Sequence, residues 1–163
     1  MTIHDFDMVR FLTGSEAVEV YAVVQALINP EIERLGDVDT CIITLRLQNG
    51  ALATIDNSRQ AVYGYDQRIE VFGSAGMVSV SNRTQDSHVL LNGEGVHSAK
   101  PHYFFLERYA ESYVSEMREF VDSILNQRTP SVTGTDGLMP VRMGLAARKS
   151  LAEKRPVKLS EIG

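Results

Sequence analysis

The chain has 163 residues, of which 44% are hydrophobic and 23% charged, with a net charge of -5 and a pI near 5.4. That length suffices for a core burying roughly 70% of the unfolded chain's surface, and the composition excludes disordered and collagen-like classes. The acidic balance and the scatter of Arg68, Arg83 and Lys100 argue against a nucleic-acid partner. Cys41 is the only cysteine, so no disulfide framework or cysteine metal site is expected and a reducing compartment fits. No basic-then-apolar leader and no apolar run of bilayer length is seen, so a cytoplasmic location with no membrane partner is expected.

In chain order, IHDFDMVRFLT at 3–13 is too densely apolar for an alternating strand and stops at Gly14, which predicts a short helix. AVEVYAVVQALI at 17–28 has the period of a strand, and NPEIERLGD is expected to be a loop. From Asp39 to Arg59, Asn49-Gly50 separates two alternating runs. A two-residue turn there predicts that Leu47 faces Leu52, Leu45 faces Thr54 and Thr44 meets Ile55. Both faces of this hairpin are partly apolar.

RIEVFGSAGMVSVS predicts a second hairpin closed at Gly73 to Gly76, and HVLLNGEGV a third around Asn92-Gly93. A spacing of three and four in Leu106, Tyr109, Tyr113, Met117, Phe120, Val121 and Ile124 predicts a long amphipathic helix over about 103–127. A second helix is expected from the N-cap types Thr135 and Asp136 to Pro156, with Pro140 in its first turn. Strands following one another without intervening helices favour antiparallel pairing. The expected fold is α+β: an open, mostly antiparallel sheet with helices packed on one face and a long amphipathic helix near the C-terminus, in a single domain over 1–163.

The chemistry-bearing residues are few. His4 and Asp7 stand three apart and project from one side of a helix. There an imidazole can exchange a proton near neutral pH and a carboxylate can accept from hydroxyl groups. The same residues also fit a plain role, with Asp5 and Asp7 favouring the helix dipole and His4 on the surface. Tyr63 and Tyr65 flank Gly64 and share one face of an extended stretch, either to bond sugar-like oxygens or simply to pack. GSAG at 73–76 precedes a strand pattern, whereas a phosphate cradle needs a helix N-terminus, so it is read as a turn. His88, His97 and His102 lack partners at ligand spacing, and no metal site is expected.

IHDFDMVRFL, the run GDVDTCIITLRLQNGALATIDNSRQAVYGYDQRIEVFGSAGMV, and RYAESYVSEMREFVDSI with PSVTGTDGL resemble the C-terminal domain of bacterial inositol 2-dehydrogenases. These belong to the glucose-fructose oxidoreductase/inositol dehydrogenase/rhizopine catabolism superfamily. The resemblance covers essentially the whole chain. It implies hydride transfer from a ring carbon of myo-inositol or a related cyclitol to NAD, with His4 as catalytic base or proton relay. It further implies that Asp7 bonds a substrate hydroxyl, that Tyr65 and less directly Tyr63 line the pocket, and that an open sheet face mediates homo-oligomerisation. The family's paired aspartate would fall immediately before Met1. The dinucleotide-binding domain and its lysine lie outside this sequence, so the chain alone is expected to bind no NAD and to be inactive. The competing expectation is a catalytically inactive assembly or cyclitol-binding module.

Overall fold

The computed structural model describes residues 2–163, which divide into two compact units: the residues up to 60 with 132–163, and 61–131. The first unit contains helix α1 (Ile3–Thr13), strand β1 (Ala17–Gln25), helix α2 (Pro30–Arg34) and strands β2 (Thr40–Leu47) and β3 (Leu52–Ser58). The second holds β4 (Ile69–Gly73), β5 (Gly76–Val80), β6 (Val89–Asn92), β7 (Gly95–Ser98) and helix α3 (Phe105–Leu125). Helix α4 (Gly134–Glu153), β8 (Val157–Lys158) and a 3-10 turn at Leu159–Glu161 return to the first unit. Every strand pair is antiparallel, as expected from strands that follow one another directly.

Helix α1 ends where expected, because Gly14 adopts the left-handed conformation (φ 57°) that closes a helix cheaply only for glycine. Its Phe6 is buried and lies beside Gly144 of α4, where an added Cβ would sit 4.0 Å from the ring. Buried Pro140, Met143, Ala146 and Ser150 give α4 one inward stripe at helical spacing, and that stripe lies over β1. The sheet order is β3-β2-β1-β8. One sheet face carries Val20, Ala22, Cys41, Ile43, Leu45, Leu47 and Ile55 into the core.

The opposite face is open: Val23 is 54% and Ile42 51% exposed, side by side in the β1–β2 register. Beyond Val20 the short β8 no longer pairs with β1, and Ser150 takes over. Its Oγ accepts the Ala22 N–H at 3.1 Å and donates to the Arg155 carbonyl at 2.6 Å.

The structure corrects five sequence expectations. The β2–β3 register is slipped by one: Ile43 faces Ile55, Leu45 faces Ala53 and Thr44 faces Thr54. The turn has three residues, Gln48 to Gly50, because only Gly50 takes a positive φ (89°) while the Asn49 side chain accepts the Ala51 N–H at 3.1 Å. The slip places Cys41, Ile43, Leu45 and Leu47 of β2 and Ala53 and Ile55 of β3 on one face, the arrangement that burial rewards. NPEIERLGD is not wholly loop, since Asn29 caps the Glu31 N–H at 3.0 Å and Pro30 presets the first turn of α2.

Helix α4 starts earlier than Thr135. Thr133 is its cap, and the Asp136 carboxylate accepts from the Thr133 N–H (2.8 Å) and hydroxyl (2.9 Å) in a capping box. Pro140 is consequently inside the helix, past the first turn, with no N–H for the Asp136 carbonyl. The strand β8 was not foreseen.

Asp39 organises the connection after β1. Its carboxylate is fully buried and accepts from the backbone N–H groups of Leu27 (2.8 Å), Ile28 (2.8 Å) and Asn29 (3.0 Å) and from the Thr40 hydroxyl (2.9 Å).

In the second unit, the Gly73–Gly76 segment closes the β4–β5 hairpin as expected, and β6–β7 is closed by Gly93-Glu94. The predicted helix is present as α3, but Tyr113, Met117, Phe120 and Ile124 of its apolar stripe are exposed. So are Phe72 (84%) and Leu91 (71%) on the hairpins.

Candidate functional site

The four residues singled out from the sequence fall in two groups. His4 and Asp7 lie on α1 of the first unit, while Tyr63 and Tyr65 precede β4 in the second.

On α1, His4 is exposed and Asp7 half-exposed, one helical turn apart on the same side. Between them, Asp5 is turned partly inward; burial pushes its carboxyl up against the opposing pull of the Asn57 side chain and of His4. Asp7 is not free. Its Oδ1 accepts from Arg10 Nη1 at 2.9 Å, and among the described residues this is the hydrogen bond its carboxylate makes. Arg10 is 9% exposed and holds Glu16 with a bidentate fork, Nε to Oε2 at 2.8 Å and Nη2 to Oε1 at 2.7 Å. Nη2 also reaches Asp136 Oδ1 at 3.3 Å.

The fork with Glu16 is the main reason the Arg10 pKa is raised, and it lowers that of Glu16. Arg10 was not among the residues singled out from the sequence. Its spacing of three from Asp7 was legible, but Asp136 is 126 residues away.

In the second unit, Gly64 carries φ +140°, and a Cβ there would meet the Pro101 carbonyl oxygen at 2.9 Å. Only glycine lets this backbone pass so close to 101–102, where the Tyr65 N–H donates to the His102 carbonyl at 2.8 Å. The Tyr65 ring stands edge-on to Tyr109, centroids 5.8 Å apart at 81°. Burial, with the Tyr65 hydroxyl beside it, pushes the Tyr109 phenol up to about 12.

The Tyr63 hydroxyl donates to Asp66, a bond that raises the phenol's pKa. Asp66 also accepts from Arg68 Nε at 2.8 Å and Asn82 Nδ2 at 2.6 Å. The Arg68 fork, against the opposing effect of burial and with help from Tyr63 and Asn82, brings the Asp66 carboxyl down to about 2. Tyr65 is thus placed by packing and backbone, and Tyr63 by a carboxylate.

The residues of this chain do not form a dinucleotide cradle at the glycine-rich segment, because Gly73–Gly76 leads into a strand and offers no helix dipole to a pyrophosphate. Among the described residues no group of three or more His, Cys, Asp or Glu could hold a metal ion. Nor is any described helix long and apolar enough to cross a membrane.

Comparison with known proteins follows the same lines. Residues 1–159 match the family described as the oxidoreductase family, C-terminal alpha/beta domain. A myo-inositol 2-dehydrogenase of Thermotoga maritima is 50% identical over 162 residues, covering 99% of this chain and 48% of the relative. The crystal structure of a probable dehydrogenase from Thermotoga maritima superposes with a TM-score of 0.97 at 50% identity, over 100% of this chain and 49% of that one. That of scyllo-inositol dehydrogenase from Lactobacillus casei with bound cofactor NAD(H) and scyllo-inositol gives 0.89 at 28% identity, over 98% and 47%. The chain spans about half the length of the curated relatives it matches.

Proposed function

The chain belongs to the oxidoreductase family as its C-terminal alpha/beta domain, and from that premise we propose that it is the substrate-binding and assembly half of an NAD-dependent inositol 2-dehydrogenase. The observation that supports this most is the placement of His4 and Asp7 on one side of α1, in a chain 50% identical to a myo-inositol 2-dehydrogenase. When bound, NAD would supply the acceptor for the hydride of the ring carbon. His4 takes the proton of the hydroxyl being oxidised, so that the alcohol leaves as a ketone with its C–H and O–H bonds both accounted for. Asp7 accepts a hydrogen bond from a neighbouring ring hydroxyl. In the second unit, Tyr65 offers an aromatic edge and a phenol beside Tyr109, and Tyr63 is tied to Asp66.

Ligand-observed NMR on the purified chain tests the substrate class. Half a site leaves much of the ligand in water, so weak saturable binding of myo-inositol is expected, in the millimolar range that corresponds to about 4 kcal/mol. Binding should be lost on changing Asp7 to Ala and absent for an open-chain polyol of the same carbon count. Equal signals for both ligands would remove the cyclitol reading.

Assembly is the second part of the reading. Val23 and Ile42 on the open sheet face of the first unit, and Met117, Phe120, Phe72 and Leu91 in the second, leave large apolar side chains in water, and contiguous apolar surface of this kind marks interfaces. Light scattering at micromolar concentration is expected to give the mass of a dimer or larger homo-oligomer. A stable monomer would contradict it. The setting we propose is cytoplasmic, which suits the lone buried thiol of Cys41.

A further inference from the structure

Arg10 has no assigned role, and its geometry is more than a clasp. Three of its hydrogen bonds go to Glu16 and Asp136. Asp136 is itself fixed, because its other oxygen closes the capping box of α4 on Thr133. The guanidinium is therefore planted on two anchored carboxylates before Asp7 is considered. The fourth bond, Nη1 to Asp7 Oδ1, joins residues one turn apart on the same helix and so adds nothing to holding α1 against α4. What it does is fix the Asp7 side chain, which at 43% exposure would otherwise sample several rotamers. It uses one carboxylate oxygen and leaves the other without a partner among the described residues.

We infer that Arg10 is the positioning residue of the cyclitol site: it holds Asp7 in one rotamer so that its second oxygen is presented to a ring hydroxyl. This rests on the reading of Asp7 as a substrate ligand. Arg10 does not touch substrate in this scheme and acts through Asp7 alone. Its charge matters as well, since three carboxylates converge on the one cation and would repel one another without it. A lysine keeps the charge but cannot grip Glu16 and reach Asp7 with one rigid fork.

The test uses the intact chain and the variants Arg10→Lys, Asp7→Asn and the double change, with two readouts. Three-bond Hα–Hβ couplings report the Asp7 rotamer, and an NMR titration reports myo-inositol affinity. The wild-type couplings should be those of a single rotamer, averaging in Arg10→Lys, and affinity should fall about tenfold in Arg10→Lys. The decisive expectation is non-additivity: the double variant binds no more weakly than Asp7→Asn. Additive losses, or averaged couplings with unchanged affinity, would overturn the inference and leave Arg10 a structural clasp.

If the wild-type chain binds no myo-inositol while its Asp7 couplings remain those of one rotamer, the proposed function fails and the role of Arg10 with it. That pattern differs from failure of the inference alone, in which wild type binds. Should Arg10→Lys not fold, Glu16→Gln, which weakens the anchored side without touching Asp7, must average the Asp7 couplings and weaken binding. Unchanged values in that variant would equally overturn the inference.

Discussion

Changing His4 to Asn, in a dehydrogenase in which this chain replaces the matching half of the Thermotoga maritima enzyme, is expected to lower kcat for myo-inositol by about 10²–10⁴ with little change in KM. Asparagine preserves hydrogen bonding and approximate size but cannot take up a proton at neutral pH, so only the proton-transfer step suffers. Because His4 is exposed on a helix closed at Gly14, the substitution leaves the fold and its melting temperature unchanged. Steady-state kinetics from pH 6 to 10 check this. A His4→Asn variant within twofold of its parent in kcat would show that the proton goes elsewhere. A rise in KM with kcat intact would make His4 a binding residue instead.

The second large effect is on stability. Asp39→Ala removes the fully buried carboxylate that accepts three backbone N–H groups in the segment between β1 and α2, so three charge-assisted bonds are lost together. The melting midpoint is expected to fall by roughly 5–10 °C, a large shift for a chain of this size. Asp39→Asn, which keeps one acceptor oxygen, should lose about half as much.

The pH dependence has a definite sign. Burial by itself would push the Asp39 carboxyl up, but the N–H groups of Asn29, Leu27 and Ile28 with the Thr40 hydroxyl outweigh it and bring the value down from 3.8 to about 2. A carboxyl with a depressed folded value stabilises above its unfolded value and loses that contribution as pH falls through the folded one. The wild-type midpoint should therefore drop more steeply than that of Asp39→Asn between about pH 4 and pH 2. Parallel curves would assign the stabilisation to other groups.

Much of the fold was legible because local signals coincide with tertiary ones. Gly14 both ends the apolar run and needs a positive φ, and the alternation read over 17–28 matches a strand with one buried face as far as Gln25. What was not legible turned on choices that sequence leaves degenerate. Asn49-Gly50 suits both a two-residue and a three-residue turn, and the outcome was settled by placing Ile43 opposite Ile55 and Leu45 opposite Ala53 on the buried face. Thr133, Thr135 and Asp136 are all good N-terminal residues, and only the reciprocal bonds between Thr133 and Asp136 choose the cap. Strand β8 is two residues long and shows no period.

The candidate site divides in the same way. His4 and Asp7 share a helical side by arithmetic, whereas the partners that tie down Asp7 and Tyr63 are Arg10 on its anchored fork and Asp66 with Asn82. Arg10–Asp7 and Tyr63–Asp66 are spacings of three, but the Asp136 that anchors Arg10 lies 126 residues away and the Asn82 that bonds Asp66 lies 16 residues away, separations that local spacing does not reveal. The chemistry proposed for His4 came from resemblance, since an H-x-x-D pair on a helix serves the helix dipole equally well.

The most direct measurement is NADH formation from myo-inositol by the purified chimera of this chain with the remainder of the Thermotoga maritima myo-inositol 2-dehydrogenase. The expected result is turnover within about tenfold of that parent enzyme, a difference of about 1.4 kcal/mol of transition-state stabilisation, and a further fall of about 10²–10⁴ on changing His4 to Asn. A folded, assembled chimera that binds NAD yet oxidises no cyclitol would contradict the assignment of this chain as the substrate half of an inositol dehydrogenase.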